Sequence, residues 1–242
     1  MPPKKKVQST PTYKFPDNFV KLSENLTKQF YRPEPEIIIE DQIVVIPNAF
    51  SKDLCDELIK SFETNLKLET TPLIKSRDYA ARFNDRISLT DFESADVLWK
   101  YLQDLLLLKS EYDEDDEETM LLEDYFGQGC GLNPQLRIYR YKKGHHFGKH
   151  YDESVTCLRE ENGTGKGRTK WTLLIYLTGD EEFDGGATIF YPDYRGAKPL
   201  SIHPSKGMAL FHKHGDDCLK HEAEIVKEGQ KWVLRSDVMY PL

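Results

Sequence analysis

The chain is poor in cysteine and in positive charge and has no long apolar run, and each shortage removes a class of protein. Its four cysteines, Cys55, Cys130, Cys157 and Cys218, are scattered and never form a Cys-x-x-Cys pair. A disulfide-stapled scaffold is therefore excluded, and free thiols in a reducing, intracellular setting are expected. No apolar segment precedes a cleavage site near the first residue, so a cytoplasmic or nuclear location is expected. The strongest apolar stretch, LQDLLLLK from Leu102 to Lys109, falls far short of a bilayer span and is flanked by charge, which excludes a membrane partner. Lys and Arg number 33 against 41 Asp and Glu, a net charge of -8. Proteins that neutralise phosphate backbones carry the opposite balance, so nucleic acid is not an expected partner.

What is present fills one large domain, since 242 residues can bury a core without a staple. Residues 1–36 are rich in Lys, Pro, Ser and Thr and lack periodicity, which predicts a flexible N-terminal arm. Its opening PPKKKV fits a nuclear-import signal or, more simply, a solvated tail. A single folded domain is expected over 37–242. There EIIIEDQIVVIPNAF reads as strand and turn, after which the period becomes that of a helix. Ser51 stands where it would cap a helix whose inward face is Leu54, Leu58, Ile59, Phe62 and Leu66. A second helix is expected with Ala95, Leu98, Trp99, Leu102, Leu105 and Leu106 inward. These two make a helical support over 50–110. The acids at 111–118 repel one another and lack the spacing and glycine of a calcium loop, so a solvated loop is expected. From 132 to 242 short strands follow one another, among them QLRIYRY, KWTLLIYLT and KWVLRSDVMY, separated by glycine and proline. The fold class expected is α+β, mainly β: a barrel or double-sheet jelly roll with N-terminal supporting helices.

Within HHFGKHYDES, His150 and Asp152 stand two residues apart. Alternate side chains of a strand share a face, so the pair would offer an imidazole nitrogen and a carboxylate to one ion. A polar strand end has the same pattern. A third ligand would come from His203, His212, His214 or His221. His221 is the choice made here, because enough chain separates it from His150 for strands to return to the other side of a jelly roll. Two histidines and one carboxylate leave three positions of an iron open, the arrangement of non-haem Fe(II) oxygenases. His212 and His214 better suit structural roles or the mouth of the site. Cys218 near His221 raises a zinc reading, yet structural zinc sites gather more cysteines.

These segments resemble those of one family. YKKGHHFGKHYDES is similar to the Y-x-x-G-x-x-(F/Y)-x-x-H-x-D segment of the prolyl 4-hydroxylase-like branch of the Fe(II)/2-oxoglutarate dioxygenases. WTLLIYLTGDEEFDGGATIFYP resembles that branch's strand, turn and G-G-x-T strand, and HPSKGMALFHKHGDDCLKHEAEIVKEGQKWVLRSDVMY its closing segment. The likeness covers roughly 132–242 and, more faintly, 40–110. It implies a double-stranded β-helix with Fe(II) bound by His150, Asp152 and His221. It also implies 2-oxoglutarate, whose distal carboxylate would meet Lys231, at the family's spacing, or Arg235, on the same strand face with a fork better matched to a carboxylate. Tyr141 and Thr188 would add hydrogen bonds to that carboxylate. O2 is the co-substrate and ascorbate the expected reductant.

The implied reaction is hydroxylation of a C–H bond, with succinate and CO2 released. Peptidyl proline is the first choice of substrate, so a protein or peptide is the expected partner. Arg82, Asn84 and Arg86 in RDYAARFNDR, with Phe147, are candidates for the substrate entrance; pairing with the chain's many acids explains the arginines nearly as well. The alternatives are a hydroxylase of a small molecule or another side chain, and a catalytically silent jelly-roll binding module. The polar loop CLREENGTGKGRTK is a candidate lid.

Overall fold

A computed structural model describes residues 13–26, 32–72, 80–107, 116–161, 163–194 and 196–242. Two antiparallel sheets make the jelly roll that the sequence led us to expect. The main path of the larger, eleven-stranded sheet runs Glu36–Ile39, Ile43–Ile46, Ala209–Lys213, Lys166–Tyr176, Val226–Pro241, Gln135–Lys142, Asp85–Thr90, Glu69–Thr70. The smaller sheet has five strands in the order Leu200–Ile202, Thr188–Tyr191, Lys220–Ala223, His146–His150, Arg82–Phe83.

Alternation along the larger sheet separates support from chemistry. Leu136 and Ile138, Leu173 and Ile175, Ala209 and Phe211, and Trp232 and Leu234 join the core that also takes in the helices. One step out of phase, Tyr139, Tyr141, Tyr176, Leu210 and Val233 form a second core with Phe190 of the smaller sheet. Thr172, His212 and Lys231 share this second phase and are buried.

The helix Lys52–Asn65 starts as expected, with Ser51 Oγ accepting the Leu54 N–H at 3.2 Å. It buries Leu54, Leu58 and Phe62, and Ile59 and Leu66 pack beside them. The helix Phe92–Leu107 buries all six residues assigned to its inward face. A third helix, Glu117–Phe126, departs from the solvated loop expected over 111–118. Asp116 caps it by accepting the Thr119 N–H at 2.9 Å, and Glu117 and Glu118 sit in its first turn, where the helix dipole favours negative charge. Residues 111–115 lie outside the described residues.

The arm expected over 1–36 also differs, where it is described. Residues 1–12, including PPKKKV, and 27–31 lie outside the described residues, but Asp17–Val20 and Leu22–Leu26 are helical. Phe15, Phe19, Leu22 and Leu26 are buried in the main core, and Phe15 stacks on Phe19 with ring centroids 4.4 Å apart. Their spacing is helical, yet the run is too short to stand out against the polar residues around it. Phe19→Ala should therefore cost about 3 kcal/mol of stability in urea unfolding, the usual result of emptying a core aromatic site. A loss below about 1 kcal/mol would mean that this segment docks only loosely. No helix among the described residues is long and apolar enough to cross a membrane.

Candidate active site

Cross-strand register builds the site. His221 lies directly opposite His150 on adjacent antiparallel strands, and their ring centroids are 4.2 Å apart. Asp152 follows the end of the His146–His150 strand. Its carbonyl accepts the Gly215 N–H at 2.9 Å, and its own N–H donates to Cys218 Sγ at 3.3 Å. The carboxylate then lies with Oδ1 3.7 Å from His150 Nε2 and Oδ2 3.7 Å from His221 Nε2. His150 Nδ1 donates to Gly148 O at 2.8 Å and His221 Nδ1 to Leu219 O at 2.9 Å. Both Nε2 lone pairs are thereby left to face the carboxylate.

Burial keeps these imidazoles neutral, pushing His150 down to about 4 and lowering His221. Burial alone would raise the Asp152 carboxyl, but Arg235, 3.0 Å away, leads the neighbours that hold it well below the usual carboxylate range. Two neutral nitrogens and an ionised carboxylate in one cluster are a donor set that fits Fe(II).

His212 joins them. It alternates with Phe211, so its ring lies on the inner wall and not at the mouth of the site; its Nε2 is 3.6 Å from Asp152 Oδ2 and buried without a hydrogen-bond partner. His214 is structural, contacting Thr172 Oγ1 at 2.9 Å and Thr169 Oγ1 at 2.8 Å. His203 is exposed and contacts Asp180 O. Cys218 forms a second close trio with His212 and His221, but burial pushes its thiol up to about 11, away from the thiolate that zinc needs.

A cavity opens beside the cluster. Tyr139, Phe147, Leu174 and Val233 give it apolar walls. Lys231 reaches it four residues before Arg235, about 13 Å along the same strand. The Lys231 ammonium donates to Gly186 O at 2.6 Å and Thr188 Oγ1 at 3.4 Å, and Tyr176 OH shares the Thr188 hydroxyl at 2.8 Å. Gly185 and Gly186 take φ of 69° and 65°, and a Cβ on Gly185 would stand 2.3 Å from Ile225 O. Two glycines are thus what lets this turn present a carbonyl to the lysine.

No carboxylate pairs with Lys231 among the described residues. Burial pulls its ammonium down to about 7, with Glu224 opposing. Burial pushes Tyr141 up to about 12, so its hydroxyl stays protonated and able to donate. Tyr139, Thr172 and Tyr176 were not singled out from the sequence. Their signal was the shared phase of IYRY and TLLIY with Tyr141.

The entrance candidates separate. The Arg82 guanidinium lies 4.6 Å over the Phe147 ring and 4.7 Å over that of Tyr139, and Phe147 stacks on His150 at 3.6 Å. Asn84 is fully buried and accepts from Arg82 Nε and Thr71 Oγ1, each at 3.3 Å. Arg86 is exposed and does not line the cavity. The chain changes sheets at Asn84: Arg82–Phe83 pairs with His146–His150, whereas Asp85–Thr90 pairs with Gln135–Lys142. Asn84 and Asp85 are both buried, which breaks the alternation that would have kept Arg82 and Arg86 together. In the candidate lid, Thr156–Leu158 pairs with Lys166–Arg168, and none of its described residues lines the cavity.

Residues 136–236 match the family model of the 2OG-Fe(II) oxygenase superfamily, a span that contains every residue lining the cavity. That match supports a 2-oxoglutarate-dependent dioxygenase. The chain is 25% identical over 174 residues to a PKHD-type hydroxylase of Gluconobacter oxydans (strain 621H), spanning 66% of this chain and 73% of that relative. Its fold is that of prolyl hydroxylases. A prolyl hydroxylase from Trichoplax adhaerens, in complex with a hypoxia inducible factor peptide fragment, superposes with a TM-score of 0.54 and 14% identity over 92% of this chain and 91% of that one. For a Pseudomonas putida prolyl-4-hydroxylase the values are 0.53 and 12%, over 91% and 100%. For the viral collagen prolyl hydroxylase of Paramecium Bursaria Chlorella virus-1, as its 2OG complex, they are 0.50 and 20%, over 82% and 96%.

Proposed function

We propose that this enzyme hydroxylates a peptidyl proline, consuming O2 and 2-oxoglutarate and releasing succinate and CO2, with His150, Asp152 and His221 as the Fe(II) ligands. The observation that carries the metal assignment is the approach of two histidine Nε2 atoms to the Asp152 carboxylate, each at 3.7 Å. Bound iron supplies the activation of O2 coupled to decarboxylation of the co-substrate. The chain's own side chains do the positioning.

Lys231 holds the distal carboxylate of 2-oxoglutarate, with Tyr141 and Thr188 as hydrogen-bond donors. Supporting this is an ammonium buried in the cavity wall with no carboxylate partner among the described residues. Arg235, by contrast, is engaged by Asp152 at 3.0 Å and Asp237 at 3.3 Å. Tyr139, Leu174 and Val233 exclude water from the passage between the two ends.

Two observations favour a peptide. Among the described residues the Arg82–Phe83 strand is an edge of the smaller sheet next to the cavity, where an extended chain can pair. The Trichoplax adhaerens prolyl hydroxylase that shares the fold holds a peptide fragment. Arg82 and Phe147 face the entering substrate in this reading, and Asn84 steadies Arg82. The test uses iron-loaded protein with 2-oxoglutarate, ascorbate and a library of proline-containing peptides. Peptide-dependent succinate, with one oxygen atom gained on a proline by mass spectrometry, is expected. Stimulation by small molecules alone would overturn the substrate class and leave the iron site standing.

A further inference from the structure

We propose that Arg235 is a positioning residue that, with Thr172, locks Asp152 as a one-oxygen metal ligand and so keeps a coordination position open for O2. The proposal rests on the reading of His150, Asp152 and His221 as the iron ligands. A carboxylate free to rotate can bind a metal through one oxygen or through both. In a site with three protein donors the difference matters. Three positions would remain if Asp152 used one oxygen; 2-oxoglutarate would take two and leave one. A two-oxygen Asp152 would leave none.

The structure loads one oxygen of Asp152 and leaves the other. Among the described residues, Oδ2 receives Arg235 Nη2 at 3.0 Å and Thr172 Oγ1 at 2.9 Å and also lies 3.6 Å from His212 Nε2 and 3.7 Å from His221 Nε2, whereas Oδ1 faces His150 Nε2 at 3.7 Å. Both holds are themselves held. Arg235 Nη2 also donates to Asp237 Oδ1 at 3.3 Å, and Asp237 Oδ2 accepts from Arg137 at 3.0 Å and Asn133 at 3.2 Å. Thr172 is backed by His214, which Thr169 holds from the other side. In register, Thr172 stands opposite both His212 and Asp237, so these holds come from the central strands of the larger sheet. A chain of charge-assisted and buried hydrogen bonds on rigid strands resists rotation of the carboxylate far better than one contact would. Arg235 Nη2 is shared by two aspartates, which ties down one arm of its fork, while its Nε is buried without a hydrogen-bond partner among the described residues.

The test uses the full chain as wild type, Arg235→Gln, Arg235→Lys and Thr172→Val, each loaded anaerobically with Fe(II) and 2-oxoglutarate. Nitric oxide serves as the stand-in for O2, and its binding is read by electron paramagnetic resonance. Iron and 2-oxoglutarate affinities are titrated separately. Arg235→Gln and Thr172→Val should weaken nitric oxide binding by about tenfold or more, the value of one charge-assisted hydrogen bond, while 2-oxoglutarate affinity moves by less than about threefold. Arg235→Lys, which keeps the charge at one point, should recover part of the loss. Thr172→Val is nearly isosteric and removes no charge, so the lock stays testable even where an Arg235 variant folds poorly. Nitric oxide binding at wild-type strength in both Arg235→Gln and Thr172→Val overturns the proposal. So does a loss in Arg235→Gln that falls mainly on 2-oxoglutarate affinity. Failure of the iron assignment looks different: wild type and His150→Ala would then take up iron alike, and the lock would fall with it.

Discussion

Asp152→Asn should abolish succinate formation and lower Fe(II) affinity by on the order of a thousandfold, with His150→Ala close behind. The magnitude follows from removing one member of a buried charged cluster, worth about 3–5 kcal/mol. Asn keeps the volume of Asp152 and can still accept from Thr172 Oγ1, so the substitution removes the charge with little disturbance of packing. It also leaves Arg235 paired with Asp237, which limits the cost to folding. In His150→Ala the ring stacked on Phe147 disappears, while Asp152 and its hydrogen bonds remain. Isothermal titration with Fe(II) under anaerobic conditions, beside a succinate assay, reads both effects. Iron bound by both variants at wild-type affinity would remove the trio from consideration as the metal site. Loss of turnover with iron affinity kept would instead make Asp152 a group acting on the co-substrate.

Local features of this chain could be read before its structure, and relations between distant strands could not. Ser51 and the inward faces of two helices were legible because a cap and a helical period are written within a few residues. The third helix hid in the acid run, since Asp116, Glu117 and Glu118 look like repelling charges until one of them caps and the others meet a dipole. Residues 13–26 hid for want of length. At the site, His150 and Asp152 were visible as a two-residue pattern, but their meeting with His221 is a matter of register. The sequence puts Lys231 and Arg235 on one face of one strand, with spacing favouring the first and the planar fork the second, and leaves their work undivided. The division comes from what each meets across the sheets: Gly186 and Thr188 for one, Asp152 and Asp237 for the other. Arg86 illustrates the opposite failure. It was a candidate for the substrate entrance beside Arg82 and Asn84, and the change of sheet at Asn84 leaves it exposed and away from the cavity.

The second large effect belongs to Lys231. Lys231→Met should weaken 2-oxoglutarate binding by about a hundredfold or more, because the distal carboxylate would enter a buried site without a counter-charge. Stability should not fall, since a methionine fills the space with no ammonium to desolvate. The wild type adds a pH signature. In the free protein burial holds the Lys231 ammonium at about 7, and a bound carboxylate would raise that value by favouring the charged form. Below pH 7 the lysine is already charged, and affinity for 2-oxoglutarate should be flat. Above it each binding event must take up a proton, so affinity should fall by up to about tenfold per pH unit. Titrations in buffers of different ionisation enthalpy would register that proton directly. The slope should vanish in Lys231→Met and persist in Arg235→Gln. If Lys231→Met binds 2-oxoglutarate as tightly as wild type, the carboxylate lies elsewhere. The buried lysine would then be a structural group held by Gly186 and Thr188 alone.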